Sequence, residues 1–142
     1  MSGQGSSSCV VVVPAYNEGA TVRDVVGRIL KFCQKVIVVD DASTDATAQE
    51  VADLPITLLR NEQNLGKGRS LWKGIQTALE SGAEAVLTLD ADGQHHPEDI
   101  PAMLQAGREH PNAIIIGSRM LNISSFPVKR RMANEFANFW LF

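Results

Sequence analysis

Asp90, Ala91, Asp92, Gly93 and Gln94 place oxygen-bearing side chains at every second residue, just past an apolar run that ends at Leu89. Two carboxylates so close repel each other, so whatever keeps them together must neutralise or use their charge. Hard divalent cations such as Mg2+ or Mn2+ take oxygen ligands, and Mg2+ is usually held by one or two carboxylates with phosphate oxygens and water. Such an ion would turn the repulsion of a diphosphate into attraction. The competing reading makes Asp92 and Gly93 a turn and one carboxylate the cap of a helix opening at Pro97. Spacing alone leaves both open. His95 and His96 follow directly, but adjacent side chains do not converge on one ion without distortion. His96 therefore reads as a helix-entry residue and His95 as an edge of the site.

Asp40 and Asp41 form a second acidic pair, followed by ASTD. A turn and a helix cap account for Ser43 and Asp45, but they leave the pair itself unexplained. A carboxylate after a second strand accepts hydrogen bonds from a ribose or base edge in nucleotide folds. The segment NLGKGRS invites comparison with a P-loop, but Asn61 stands where G-x-x-x-x-G-K-[ST] requires its first glycine. No G-x-G-x-x-G follows the first apolar run, and Ser118 in IIIGSRM has neither a nucleophile elbow nor a suitably placed histidine. ATP, NAD and serine-hydrolase chemistry are thereby disfavoured.

These clusters need elements to hold them. Five apolar, mostly β-branched runs stand out: Cys9 to Val13, Val36 to Val39, Ile56 to Leu59, Ala85 to Leu89 and Ala113 to Ile116. They lack strict alternation, as strands covered on both faces do. Helices are expected between them. Over residues 20–32, Val22, Val25, Val26, Ile29 and Leu30 form one apolar stripe. Residues 44–52 form a second helix capped by Ser43. Residues 68–81 form a third, with Leu71, Ile75, Ala78 and Leu79 on one face and Gly82 as its stop. A fourth opens at Pro97 and buries Ile100, Met103 and Leu104. Alternating strands and helices imply a layered α/β domain with a mostly parallel sheet. Ligands of such a sheet bind beyond the carboxyl ends of its strands, where each run here ends in a polar cluster.

The chain has 142 residues, enough for one core, and its net charge of -3 offers no basic face for nucleic acid. Cys9 and Cys33 read as free thiols, and no apolar stretch approaches the roughly 18 residues of a membrane span. A soluble, cytoplasmic domain with a disordered start over residues 1–8 is expected.

VVVPAYNEGATV, VIVVDDASTDAT, NLGKG, LDADGQHHPEDI and IIIGSR, in this order, resemble the catalytic domain of glycosyltransferase family 2, whose members use nucleotide sugars on a GT-A fold. The likeness covers about residues 9–131 and is closest to the polyprenol-phosphate sugar transferases. It implies a Rossmann-like GT-A domain over residues 9–127 and a metal-dependent, inverting transfer from a UDP- or GDP-linked sugar. Pro14, Ala15, Tyr16, Glu18, Val39, Asp41, Lys67, Asp90 and Ala91 would form the nucleotide pocket. Asp90, Asp92 and Gln94 would hold Mg2+ or Mn2+ with the diphosphate, and Arg119 would face phosphates of donor or acceptor, making Asp92 and Arg119 the catalytic pair.

A sugar-hydroxyl acceptor needs a general base. A lipid phosphate does not, because its second pKa near 6 leaves it largely dianionic at pH 7. The later acidic base and Gln-Arg-Trp type block of hydroxyl-directed members do not appear, so the acceptor is a polyprenyl phosphate, the chain is a fragment, or both. Lys129, Arg130 and Arg131 precede Met132, Phe136, Phe139 and Trp140 on one helical face. In residues 128–142 this pattern reads either as a membrane-interface element able to receive a lipid phosphate or as a core helix of a longer chain. The first reading would place the protein at the cytoplasmic face of a membrane. A hydroxyl-directed transferase and a non-catalytic nucleotide-sugar binding module are the rival functions. Oligomeric state is left open.

Overall fold

The uninterrupted valine and isoleucine runs become strands because helices cover them from both sides. The computed structural model describes residues 8–117, and contacts divide the chain into two units, Met1–Pro111 and Asn112–Phe142. In the first unit the elements run β1 (Cys9–Ala15), α1 (Val22–Ile29), β2 (Val36–Asp40), α2 (Thr47–Val51), β3 (Thr57–Arg60), α3 (Lys67–Glu80), β4 (Ala85–Thr88), a 3-10 turn (Pro97–Asp99) and α4 (Ile100–Glu109). Among the described residues the four strands form one parallel sheet in the order β3-β2-β1-β4. This is the α/β layering that the strand and helix pattern predicts. Ser8, expected in a disordered start, is instead tied down: its carbonyl accepts the Glu84 N–H at 2.9 Å. Residues 1–7 lie outside the described residues.

The order of the strands decides which helix covers which face. From β1 the chain steps outward through β2 to β3, then returns past β1 to β4. Right-handed crossovers taken in opposite directions put their helices on opposite faces. Val11, Val13 and Ala15 of β1 and Val36 and Val38 of β2 accordingly pack on α1, with Val51 of α2 and Ile100 of α4 in the same cluster. Val10, Val12, Ile37 and Val39 point the other way, to Leu71 and Ala78 of α3. Each fully buried valine or isoleucine contributes roughly 1.5–3 kcal/mol, so these two clusters are the main stabilising term.

Helix α3 keeps Leu71 and Ala78 of the expected face against the sheet but turns Leu79 away from it. Leu79 is 54% exposed and Trp72 58%, whereas Ser70, Gly74 and Ala78 are buried. The helix lies close to the sheet along a row of small residues, with Leu71 packed at its side. A Cβ at Gly74 would overlap Val12 Cγ1 and press on Val39 Cγ2 at 3.1 Å.

Two further expectations change. The second helix starts at Thr47, and Ser43 does not cap it; the Ser43 hydroxyl accepts a hydrogen bond from a distant loop instead. The run Ala113 to Ile116 forms no strand: residues 113–117 carry no regular structure, and Ile114 is 85% exposed. A β-branched run becomes a strand only where an edge supplies ladder hydrogen bonds, and no described strand pairs with this one.

Gly74→Ala should destabilise the protein by about 1–3 kcal/mol in urea unfolding, although alanine favours a helix, because the core there has no room. Gly27→Ala in α1, where an added Cβ meets nothing within 4 Å, should be neutral or stabilising by about 0.5–1 kcal/mol. Equal effects of the two substitutions would contradict the close approach of α3.

Candidate functional site

Parallel pairing brings the carboxyl ends of β1, β2 and β4 to one edge, and β1 lies between the other two. The strand order reverses there, which opens a crevice between the loops that follow β1 and β4. The loop after β1 does not stand alone. Asn17 N–H donates to Ser43 Oγ at 2.9 Å, Glu18 N–H to Thr47 Oγ1 at 2.9 Å and Gly19 N–H to Asp45 Oδ2 at 3.0 Å, while Asn17 Oδ1 accepts from Thr44 N–H at 2.8 Å. The loops after β1 and β2 are therefore one hydrogen-bonded unit. Asn17 enters it with a φ of 51°, a left-handed conformation that asparagine tolerates.

Asp40 and Asp41 point to opposite faces and do different work. Asp40 is fully buried, its Oδ2 lying 3.1 Å from Arg60 Nε of β3 as an ion pair and its Oδ1 accepting Ser43 N–H at 3.3 Å. The Arg60 approach is off-line, so Asp40 Oδ2 lacks a well-aligned hydrogen bond. Asp41, 3% exposed, accepts from Leu65 N–H at 2.8 Å, Gly66 N–H at 2.9 Å and Asn61 Nδ2 at 2.9 Å. Burial pushes the Asp41 carboxyl up, but hydrogen bonds from Leu65, Asn61, Gly66 and Ser70 outweigh it and hold the group below the usual carboxylate range. Asn61 in turn accepts from Lys73 Nζ at 2.9 Å. This network fixes the loop that delivers Gly66, at φ 91°, and Lys67 to the head of α3.

The loop after β4 is held by its backbone. Thr21, the residue before α1, makes no cap hydrogen bond with its side chain; its hydroxyl donates to the Ala91 carbonyl at 2.6 Å. Asp90 N–H donates to His95 Nδ1 at 3.1 Å, and Asp92 Oδ1 accepts Gln94 N–H at 2.9 Å around Gly93, whose φ is 78°. The turn proposed for Asp92 and Gly93 is thus present, but no carboxylate caps the following helix, where His96 leads into Pro97. Glu98 is instead paired with Arg28 of α1, which pulls its carboxyl down to about 2.

These loops enclose a cleft of about 320 Å³ lined by Pro14, Ala15, Tyr16, Glu18, Asp41, Lys67, Asp90, Ala91 and Asp92, together with Asn64, Gly66 and Ser70. Every residue expected in the nucleotide pocket lines it except Val39, whose fully buried side chain packs in the core beneath α3. Gln94 is exposed beside Asp92 but is not part of the lining. Arg119, Arg130 and Arg131, and the segment 128–142, lie outside the described residues. The pattern did not single out Thr21, Asn64 or Ser70. Only Thr21 had a visible signal, a hydroxyl residue heading an amphipathic helix, and that signal points to a cap.

The charge of the cleft is lopsided. Burial pushes the Glu18 carboxyl above its ordinary range, and the charges of Asp92, Asp45 and Asp90 add to the rise against a lowering hydrogen bond from Thr21. Lys67 Nζ stands 2.6 Å from Asp90 Oδ1. A divalent ion fits this donor set: Asp90 and Asp92 offer partly exposed hard oxygens, and one already attracts a cation. Among the described residues no three acidic, histidine or cysteine side chains close around a point. Such an open arrangement suits an ion that completes its shell with phosphate and water.

Thr21→Val should cost about 1 kcal/mol in urea unfolding, the worth of the hydrogen bond to the Ala91 carbonyl, and Thr21→Ser should restore it. A Ser variant as impaired as Val would contradict the role given to the hydroxyl. Asp41→Asn should lose about 1.5–3 kcal/mol at pH 7. Because the folded-state pKa of Asp41 is depressed, its contribution is full above its ordinary pKa of about 3.9 and fades as pH falls through the folded value. The gap between wild-type and Asp41→Asn melting curves should therefore narrow below about pH 4; a constant gap would rule out the charge.

Residues 10–141 match the profile of glycosyl transferase family 2. The chain is 30% identical over 145 residues to the UDP-N-acetylglucosamine–dolichyl-phosphate N-acetylglucosaminyltransferase of Methanococcus voltae, covering 87% of this chain and 58% of that protein. It is 31% identical over 133 residues to the undecaprenyl-phosphate mannosyltransferase of Micrococcus luteus, covering 87% and 54%. The chain thus spans about half the length of the curated relatives it matches. Its fold aligns with glucosyl-3-phosphoglycerate synthase from Mycobacterium tuberculosis, crystallised with Mn2+, UDP and glucosyl-3-phosphoglycerate, at a TM-score of 0.59 and 27% identity over 72% of this chain and 40% of that one. The layered sheet is the GT-A fold expected from the sequence. With the strand-end loops gathered at one cleft and the profile running from β1 onward, the chain belongs to glycosyl transferase family 2.

Proposed function

We propose that this chain carries the donor half of a glycosyltransferase that moves a sugar from a nucleoside diphosphate to a polyprenyl phosphate. The observation that carries the reading is the cleft itself, in which Glu18, Asp41, Lys67, Asp90 and Asp92, drawn from three strand-end loops and the head of α3, line one cavity. Tyr16, 46% exposed, offers an aromatic face for a base. Pro14, Ala15 and the loop fixed by Asp41 wall the nucleoside. Val39 would contribute through its backbone alone.

Asp90, Asp92 and Gln94 would hold Mg2+ or Mn2+. When bound, the ion supplies Lewis-acid charge to the departing diphosphate. Lys67, at the first position of α3, adds an ammonium whose charge suits the same phosphates. A phosphate acceptor is its own nucleophile, so no carboxylate of the cleft needs to take a proton. Arg119, Arg130 and Arg131 are proposed to meet the acceptor or donor phosphates, and residues 128–142 to approach a membrane surface. The Mn2+ and UDP in the solved neighbour, and the lipid phosphates in the relatives' names, support this assignment.

A hydroxyl acceptor is the second reading, favoured by the glucosyl-3-phosphoglycerate bound in that same neighbour. Labelled UDP-glucose or GDP-mannose, incubated with a short polyprenyl phosphate or with phosphoglycerate, separates the two by where the label ends. Asp92→Asn keeps a side-chain oxygen for the Gln94 N–H and removes the charge. Calorimetry with UDP or GDP should then show loss of at least about tenfold in Mn2+-dependent affinity, or about 1.4 kcal/mol, with an unchanged melting temperature. Unchanged binding would return Asp92 to a turn-forming role.

A further inference from the structure

Lys67 is the single cationic side chain lining the cleft among the described residues. Its ammonium lies 2.6 Å from Asp90 Oδ1, yet the Lys67 side chain is 64% exposed and that of Asp90 27%. The two partners are not equally mobile. The backbone on either side of the Asp90 carboxylate is pinned, by Asp90 N–H to His95 Nδ1 at 3.1 Å and by Thr21 Oγ1 to the Ala91 carbonyl at 2.6 Å. Lysine has a flexible four-carbon stem, so it is the partner that leaves. Half-exposed pairs contribute about 0.2–1 kcal/mol, enough to bias a site and little enough to be exchanged.

We propose that Lys67 is a built-in counter-cation, occupying Asp90 until a divalent ion and a diphosphate arrive together, so that each ligand raises the affinity for the other. The inference rests on the nucleotide-sugar reading above. A divalent ion arriving alone must displace the ammonium into solvent. A diphosphate arriving alone must draw Lys67 away and face an uncompensated Asp90 beside Asp92 and Glu18. With both present, Asp90 exchanges the ammonium for the ion and Lys67 exchanges the carboxylate for phosphate, so neither of the two is left unpaired. Linkage makes this coupling reciprocal. The device also discourages the cleft from holding a divalent ion when no donor is present.

The test is calorimetry on the 142-residue chain with MnCl2 alone, UDP alone, and UDP in saturating MnCl2, for wild type, Lys67→Met, Lys67→Gln and Arg69→Met. Arg69 is an exposed cation two residues along α3 and controls for the general loss of positive charge. Both Lys67 variants should bind Mn2+ alone about threefold to tenfold more tightly than wild type, and the factor by which Mn2+ improves UDP binding should fall at least about fivefold, whereas Arg69→Met should change each by less than about twofold. Unchanged or weaker Mn2+ binding in the Lys67 variants, or an equal gain in Arg69→Met, would overturn the counter-cation. Wild-type protein that bound no UDP in Mn2+ would overturn the nucleotide-sugar reading and the coupling with it. Normal Mn2+-dependent UDP binding by wild type, with unaltered Mn2+ affinity in the Lys67 variants, overturns the Lys67 inference alone.

Discussion

Parallel pairing of β1 with both β2 and β4 is the constraint on which the rest of the molecule depends. Val11, for example, is opposite Val36 on one side and Leu87 on the other. That register carries the three strands to the same edge together, so the loops after them begin within reach of one another. Burial drives the pairing, since the strands of the middle of the sheet are apolar on both faces. The cleft is a consequence of where those apolar runs stop.

Once the loops share an edge, most of their polar atoms hold the site rather than act in it. Asp40 meets Arg60, Asp41 meets three donors around the loop before α3, and Asp45 ties Gly19 and Thr47. Asp90 and Asp92 differ in kind. Asp90 has its backbone N–H held by His95 and Asp92 has one carboxylate oxygen on the Gln94 N–H, yet both carboxylates stay partly open, and among the described residues the cation lining the cleft beside them, Lys67, is on a flexible stem. Among the acidic residues at this edge, Asp40, Asp41 and Asp45 are tied to protein partners and build walls, whereas Asp90 has a replaceable partner in Lys67 and is available for exchange. Electrostatic preorganisation of this sort needs fixed dipoles and carboxylates around the place where charge changes.

The strands and the location of the cleft were legible because continuous β-branched runs have few alternatives, and each ended at a polar cluster. The valine stripe of α1 was equally plain. What escaped was set by contacts distant in sequence. Ser43 has the chemistry of a helix cap, but an amide 26 residues earlier claims its oxygen. Thr21 is similarly diverted by a carbonyl 70 residues later. Leu79 completes an apolar face with Leu71 and Ala78 by spacing, but the sheet comes close enough to take Ser70 and Gly74 beside Ala78 and leave Leu79 exposed. The run Ala113 to Ile116 had strand propensity without a paired edge. The acidic pair Asp40–Asp41 was rightly marked as unusual, but its members, the last residue of β2 and the one after it, are held by different partners, Arg60 and Ser43 for the first and the loop before α3 for the second.

The hydrogen bonds that join the loops after β1 and β2 have a consequence for how this scaffold can diversify. Asn17, Glu18 and Gly19 present backbone amides whose acceptors are Ser43, Thr47 and Asp45. Neither segment carries its own complete set of partners, so a new sequence introduced into one meets a mould shaped by the other. Exchange of the first loop between homologous scaffolds is therefore expected to work only when the second travels with it. The unit of inheritance at this edge is a pair of segments separated in sequence, and recombination that cuts between them separates a lock from its key.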